Sequence, residues 1–319
     1  MPSDHQLFAA IDLGSNAFRM TIGKHPANTT EKIVTLETLR EPVRLAEGLQ
    51  NNHLNEKALS RAWEALERFG KRINGFQQHR VKAVATNTVR IAENAAHFLK
   101  SAEDKLGFKI KVISGQEEAR LVYSGVCHAM PELPEKKLVV DIGGGSTEII
   151  TGKGDMPFLI DSFPMGSGSF SPLFFPQGKI SSSALQEAEW QASLILAPMV
   201  EHYRSHDWEI AIGSSGTSRA LAKVLKALEL NPKGKTGITH EGLLRLSLYL
   251  LNTGKIDRQI QQMLPLGRSD ILPAGLAIML AVFKTLGIEE MIPSPPGLRM
   301  GLIHHLIHDK PVHELPRRH

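Results

Sequence analysis

A single cysteine, Cys127, stands in a chain of 319 residues. It rules out any disulfide within the chain and any cysteine-rich zinc site. Aromatic residues make up 6%, with three tryptophans and three tyrosines, and no alternation of aromatic and basic residues suggests a nucleic-acid surface. No apolar run reaches the roughly 20 residues that span a bilayer. The start, Met1 to Ala10, carries Asp4 and has no hydrophobic stretch of signal-peptide length. A cytoplasmic location, with no membrane and no nucleic-acid partner, is therefore the expectation.

Neither sign of charge dominates. The formal net charge is +4, charged residues are 22% and hydrophobic residues 42%. That composition supplies two cores and gives no disordered tail. A mild basic excess suits an anionic ligand without naming one. At this length two domains are expected, residues 1–130 and 131–319.

Short apolar runs alternate with helical patterns. Phe8–Ile11, Phe18–Ile22 and Ile33–Leu39 read as strands, and Asn55 caps a helix with Leu59, Ala62, Leu66, Phe69 and Ile73 on one face. Val81–Ala85 reads as a strand, Val89–Leu106 as one helix, Ile110–Ile113 as a strand and Gln116–Met130 as a helix. Leu138–Ile142, Thr147–Thr151 and Phe158–Ser162 are further strands, and Ser183 with Gln186 forms a capping box for the next helix. Glu209–Ile212 is a strand, and from Thr239 the chain is mainly helical. Such alternation predicts an α/β protein with parallel strand pairs.

Two stretches align without a gap: Ala10-Ile-Asp-Leu-Gly-Ser-Asn-Ala-Phe-Arg-Met-Thr-Ile-Gly23 and Val139-Val-Asp-Ile-Gly-Gly-Gly-Ser-Thr-Glu-Ile-Ile-Thr-Gly152. Each is a buried strand, an aspartate, a glycine-containing loop and a second strand. A repeat this far apart signals two similar lobes. Glycine lets successive backbone amides surround a phosphate. Gly14, Ser15 and Asn16 in the first copy, and Gly143, Gly144, Gly145 and Ser146 in the second, are the candidate phosphate-binding residues. Asp12, Asp141 and Glu148 offer hard oxygen donors suited to Mg²⁺, with Mn²⁺ as a substitute. Arg90 opens a helix after Thr86-Asn-Thr88, where guanidinium and backbone donors converge on one anion. Glu117 and Glu118 stand at the start of another helix, pointing about 100° apart, and the local sequence does not choose between them.

At these residues the chain resembles the exopolyphosphatase and guanosine pentaphosphate phosphohydrolase family, part of the actin, sugar-kinase and chaperone ATPase superfamily. The resemblance rests on the two repeats together with Arg44-Leu-Ala-Glu-Gly-Leu49, Val84-Ala-Thr-Asn-Thr-Val-Arg90, Ile113-Ser-Gly-Gln-Glu-Glu-Ala-Arg120, Gly213-Ser-Ser-Gly-Thr217 and Leu272-Pro-Ala-Gly-Leu276 in that order. It implies two actin-like (ribonuclease H-like) lobes with a phosphate-binding cleft between them, and a homodimer. It implies a phosphoanhydride hydrolase acting on inorganic polyphosphate or, as the near alternative, guanosine pentaphosphate; a non-catalytic phosphate or nucleotide sensor is the further alternative. Glu118 takes the place of the general base, Asp141 and Glu148 of metal-site carboxylates, and Arg90 of a phosphate-binding arginine. Ending at His319, the chain looks like a short form without the C-terminal helical domain of longer members. It departs from the pattern at Leu298-Arg-Met-Gly301, where Met300 replaces an acid, and at Pro164-Met-Gly-Ser-Gly, which lacks a cysteine. His206-Asp207, His308-Asp309 and the His304/His308 pair are read as solvated surface rather than as metal motifs.

Overall fold

A computed structural model describes residues 7–24 and 34–307. Strand β1 (Leu7–Leu13) turns through the first loop into β2 (Phe18–Lys24), and β3 (Val34–Glu41) follows. A small hairpin, β4 (Leu49–Gln50) and β5 (His53–Leu54), leads to α1 (Glu56–Arg72). The Asn55 side chain accepts from the Ala58 amide and starts α1 as expected. Then come β6 (Val81–Ala85), α2 (Asn87–Ile91), α3 (Ala95–Leu106), β7 (Ile110–Val112) and α4 (Gly115–Ala129).

The helix expected over 89–106 is therefore two. Asn94 at the break donates to Leu54 O and accepts from Leu54 N, both at 2.9 Å, and the Glu93 amide donates to Asn52 O. These bonds to the β4–β5 hairpin take the place of continued helix.

The second half contains β8 (Lys136–Ile142), β9 (Thr147–Lys153), β10 (Met156–Phe163), α5 (Ser167–Phe174), α6 (Ser182–Leu196) and α7 (Val200–Ser205). It continues with β11 (Ile210–Gly213), α8 (Gly216–Ala227), β12 (Ile238–Thr239), α9 (His240–Thr253), α10 (Arg258–Met263), α11 (Leu272–Leu286) and β13 (Glu290–Pro293). The last element is α12 (Gly297–Ile307). At α6 the cap is Ser181, whose hydroxyl accepts from the Ala184 amide, and not the expected Ser183. Ser183 sits inside the first turn with its hydroxyl 3.1 Å from that of Ser181.

The chain divides into two compact units. One holds the chain up to His128 together with the segment from Gly297, and the other is Ala129–Pro296. The end of the chain thus differs from the expected 131–319 lobe, because α12 lies on β1, β2 and β6.

The sheet of the first unit has the order β3-β2-β1-β6-β7, with β1, β2 and β3 antiparallel and β1, β6 and β7 parallel. Alternation along β1 sorts its side chains. Ala9, Ile11 and Leu13 join the core formed with α1 and α3. Asp12 faces the other side, where α12 packs. The second unit repeats the plan as β10-β9-β8-β11-β13-β12, with β8, β11 and β13 parallel. Its core is built around α11, buried on all sides and packed against α5, α6, α8 and α9. Among the described residues, Ser269–Leu286 alone is long and apolar enough to cross a bilayer, and it is this core helix, with 78% of the window buried.

Helices α4 and α12 meet backbone to backbone. A Cβ placed on Gly125 would lie 1.9 Å from Gly297 O, and one on Gly301 would lie 2.0 Å from Leu121 O. Neither contact yields, since both partners are main chain. Gly301→Ala is expected to destabilise the protein by about 1–3 kcal/mol or more through overpacking, read as a fall in the denaturant midpoint for unfolding.

Candidate active site

Both sheets gather their glycine-rich and polar loops at the carboxyl ends of the parallel strands, where open α/β sheets bind ligands. In the first unit Leu13, Ala85 and Val112 end these strands in register. The chain continues into the Gly14–Asn16 loop, the start of α2 and the start of α4. In the second unit the loops after β8, β11 and β13 are joined by Ser214 N to Val140 O and Ser294 N to Gly213 O, both 2.9 Å, and by the Thr217 hydroxyl to Ile142 O, also 2.9 Å.

The two repeated loops share a construction. Ser15 O accepts from Ala46 N at 2.9 Å and Asn16 O from Arg44 N at 2.8 Å. Gly143 O accepts from Ser167 N at 2.9 Å, and Gly144 O from Gly168 N and Ser169 N at 2.8 and 2.9 Å. In a trans peptide the carbonyl and the following amide point in opposite directions. Engaging these carbonyls from behind therefore turns the amides of Asn16 and Ala17, and those of Gly144 and Gly145, away from the support. Outward amides in succession form an anion-binding concavity.

The supports were not evident in the sequence. For the second loop they are Gly166–Ser169, seen only as a variant motif. A Cβ on Gly166 would sit 2.5 Å from Gly144 C and Gly145 N. For the first loop the support is Arg44, a non-glycine residue at φ +51°. Arg61 holds this strained backbone through Nε to Val43 O at 2.9 Å and Nη2 to Arg44 O at 3.3 Å. Strain of this kind collects at functional loops.

Charge differs between the copies at one aligned position. Asp12 faces Arg19 across β1 and β2, whereas Asp141 faces Glu148 across β8 and β9. Glu148 is buried, 1% exposed, and accepts from the Ser162 hydroxyl at 2.8 Å. Two carboxylates in directly opposed register repel one another unless a cation balances them. A magnesium ion needs only one or two protein carboxylates and fills its shell with water and substrate phosphate, so this pair fits it. Among the described residues no group of three or more His, Cys, Asp or Glu is arranged to hold a metal. His304 stacks on His128 with ring centroids 3.3 Å apart, and His308-Asp309 lies outside the described residues.

Arg19 is in turn the register partner of Arg40 on β3. Burial, then Arg19, then Arg44 lower the proton affinity of Arg40 from its ordinary value. Three guanidinium groups thus gather beside the first loop, with Arg40 added to the sequence-based candidates.

The adjacent glutamates part company in the structure. Glu117 pairs with Lys111, and its amide is capped by the Ser114 hydroxyl at 3.1 Å. Glu118, 8% exposed, lies 3.4 Å from Arg90 Nη1, and the same nitrogen donates to Ile113 O at 2.8 Å. Arg90 and Glu118 are therefore brought together in the first unit, on the side of the sheet that carries the first loop.

Asp12 is buried and held by α12. Arg299 Nη1 is 3.8 Å from Asp12 Oδ2, and Arg299 Nε donates to the Thr21 hydroxyl at 3.0 Å. Nothing in the sequence linked these positions. Burial raises the Asp12 pKa from its ordinary value, against the pull of Arg299 and then of Arg19. A proton on Asp12 therefore binds the folded chain more tightly than the unfolded one. The stability it contributes is present below the unfolded carboxylate pKa of about 4, and declines as pH rises through the folded value. Asp12→Asn is expected to remove that decline, so that stability changes less between pH 4 and neutral pH than in the parent. Chemical denaturation as a function of pH measures this.

The sequence resemblance is borne out by comparison with known proteins. The model of the Ppx/GppA phosphatase family matches residues 25–310. The chain is similar to the PPX-GPPA enzyme of Aquifex aeolicus, with 25% identity, a TM-score of 0.73, and coverage of 94% of this chain and 99% of that one. It is similar in fold to an exopolyphosphatase from Cytophaga hutchinsonii, with 23% identity, a TM-score of 0.83, and coverage of 96% and 99%. The α/β architecture is that of these actin-like proteins.

Proposed function

Because the chain belongs to the Ppx/GppA phosphatase family, we propose that it removes the terminal phosphate of inorganic polyphosphate by metal-dependent hydrolysis. The observation that carries this reading is the duplicated loop, whose carbonyls are tied back so that its amides face outward in both copies. Guanosine pentaphosphate offers the same terminal phosphoanhydride. The gathering of Arg19, Arg40 and Arg44 favours the polymer, since a longer anion draws on more guanidinium groups.

Each residue has a role in this reading. In the first unit the amides that follow Ser15 and Asn16, with Gly14 permitting the turn, hold phosphate oxygens, and Arg90 binds another. Glu118 orients the attacking water and accepts its proton. In the second unit Gly143, Gly144, Gly145 and Ser146 hold phosphate. Asp141 and Glu148 would hold Mg²⁺ there; Asp12, the other oxygen donor expected from the sequence, is paired with Arg299 in the first unit. The bound ion supplies screening of phosphate charge. Hydrolysis of a phosphoanhydride rests on such positioning and charge compensation, with little covalent work for the protein.

Phosphate release from polyphosphate, guanosine pentaphosphate and ATP, each with Mg²⁺ and with excess chelator, tests the assignment. Polyphosphate is expected to be the best substrate, and chelator to stop turnover. Faster release from guanosine pentaphosphate would transfer the assignment to that nucleotide, and no release from any of the three would leave a binding protein. Glu118→Gln is expected to lower kcat by about 10²-fold or more. Glu117→Gln, which loses only the Lys111 pair, is expected to have a much smaller effect on kcat. The reverse order would move the base to Glu117.

A further inference from the structure

We infer that Arg299, carried on the last helix, is a positioning residue for the reaction and acts through Asp12. The inference rests on the proposed role of the first loop. Its grounds are the placement of one guanidinium between two residues of the β1–β2 hairpin. Nη1 faces the Asp12 carboxylate at 3.8 Å and Nε donates to Thr21 Oγ at 3.0 Å. Arg299 is 5% exposed and Asp12 is 7% exposed, so solvent screens the pair poorly.

Asp12 in turn lies under the loop. A Cβ on Gly14 would come within 3.3 Å of Asp12 Oδ1 and 3.1 Å of Ala17 O. The direction of that carboxylate is therefore tied to the turn that presents the Asn16 and Ala17 amides. The planar, forked guanidinium fixes both the position and the charge balance of its partner in a way that a hydrophobic side chain does not.

The height of Arg299 over the sheet is set on the other side of its helix. Gly297 and Gly301, two residues before and after Arg299, are the points at which α12 touches the backbone of α4. Helix α4 also carries Glu118. One helix thus holds the first-loop aspartate while resting on the helix of the proposed base. Asp12 is an ion-pair partner of Arg299, and Met300, the next residue, takes the place of an acid expected from the family pattern.

The test is a double-mutant cycle on polyphosphate hydrolysis with Arg299→Met, Asp12→Asn and the two combined. Arg299→Met is expected to lower kcat by about 10–100-fold, the scale for loss of a residue that orients a site ligand. KM should change by less than kcat. In the Asp12→Asn background the same change should have no further effect on kcat. Arg299→Lys should recover part of the loss. Thr21→Val, which removes one hydrogen bond and keeps both charges, should show a smaller loss of the same kind, and it covers the case in which Arg299→Met does not fold.

Independently of turnover, the upward shift of the unfolding midpoint on adding Mg²⁺ should shrink equally in Arg299→Met and in the double variant. Losses that multiply across the cycle, or an Arg299→Met protein that is folded and fully active while Asp12→Asn is impaired, would overturn the inference. If Asp12→Asn were as active as the parent, the reading of the first loop would fail instead. If the parent released no phosphate at all, the proposed function would fail, and the cycle in the Mg²⁺ shift would still decide the coupling of Arg299 to Asp12.

Discussion

The contact of α4 with α12 at Gly125, Gly297 and Gly301 is the constraint on which the first unit depends. Two helices whose main chains touch cannot slide or lift without breaking van der Waals contact along the crossing. The consequence is positional. Glu118 leaves α4 and Arg299 leaves α12, and each meets a partner from a different part of the sheet: Arg90 after β6, and Asp12 on β1. Any side chain at the crossing would separate the helices and shift both pairs. Glycine there serves close approach and not backbone flexibility, since none of the three has a positive φ.

The two repeated loops depend on a second kind of constraint. A loop of small residues is inexpensive to bend and for that reason is poorly defined on its own. Here each loop is defined by what binds its carbonyls. The second uses the amides at the start of α5, and the first uses a short segment at Arg44 and Ala46 that is itself braced by Arg61. The direction of the loop amides is thus set by the chain itself. The arginines beside the first loop extend this in charge.

Much of this was legible from local patterns. The presence of the strands, the Asn55 cap and the gapless repeat emerged from residue spacing, because each is decided within a few positions, while several strands run one or two residues beyond their expected ends. The family resemblance followed from the order of motifs and is matched over residues 25–310. What escaped were features set by distant chain. Asn94 breaks a helix by bonding to Leu54, 40 residues away, and Arg299 reaches Thr21 across 278 residues. Ser181 displaced Ser183 as a cap by a shift of two positions, within the uncertainty of any local signal. Arg40 looked like one more strand residue until its register with Arg19 placed it beside the loop. The choice between Glu117 and Glu118 came from the resemblance alone, and the pairing of Glu117 with Lys111 now gives the two glutamates different physical surroundings.

One difference between the repeats has a bearing on their history. The position opposite the strand aspartate is Arg19 in one copy and Glu148 in the other. A duplicated hairpin with the same backbone has acquired opposite electrostatic polarity at one site. In the first copy the aspartate meets Arg19 in register and Arg299 from α12. In the second the aspartate meets a second carboxylate, Glu148. The two halves are therefore no longer interchangeable. The same hairpin backbone thus carries opposite sign at one aligned residue.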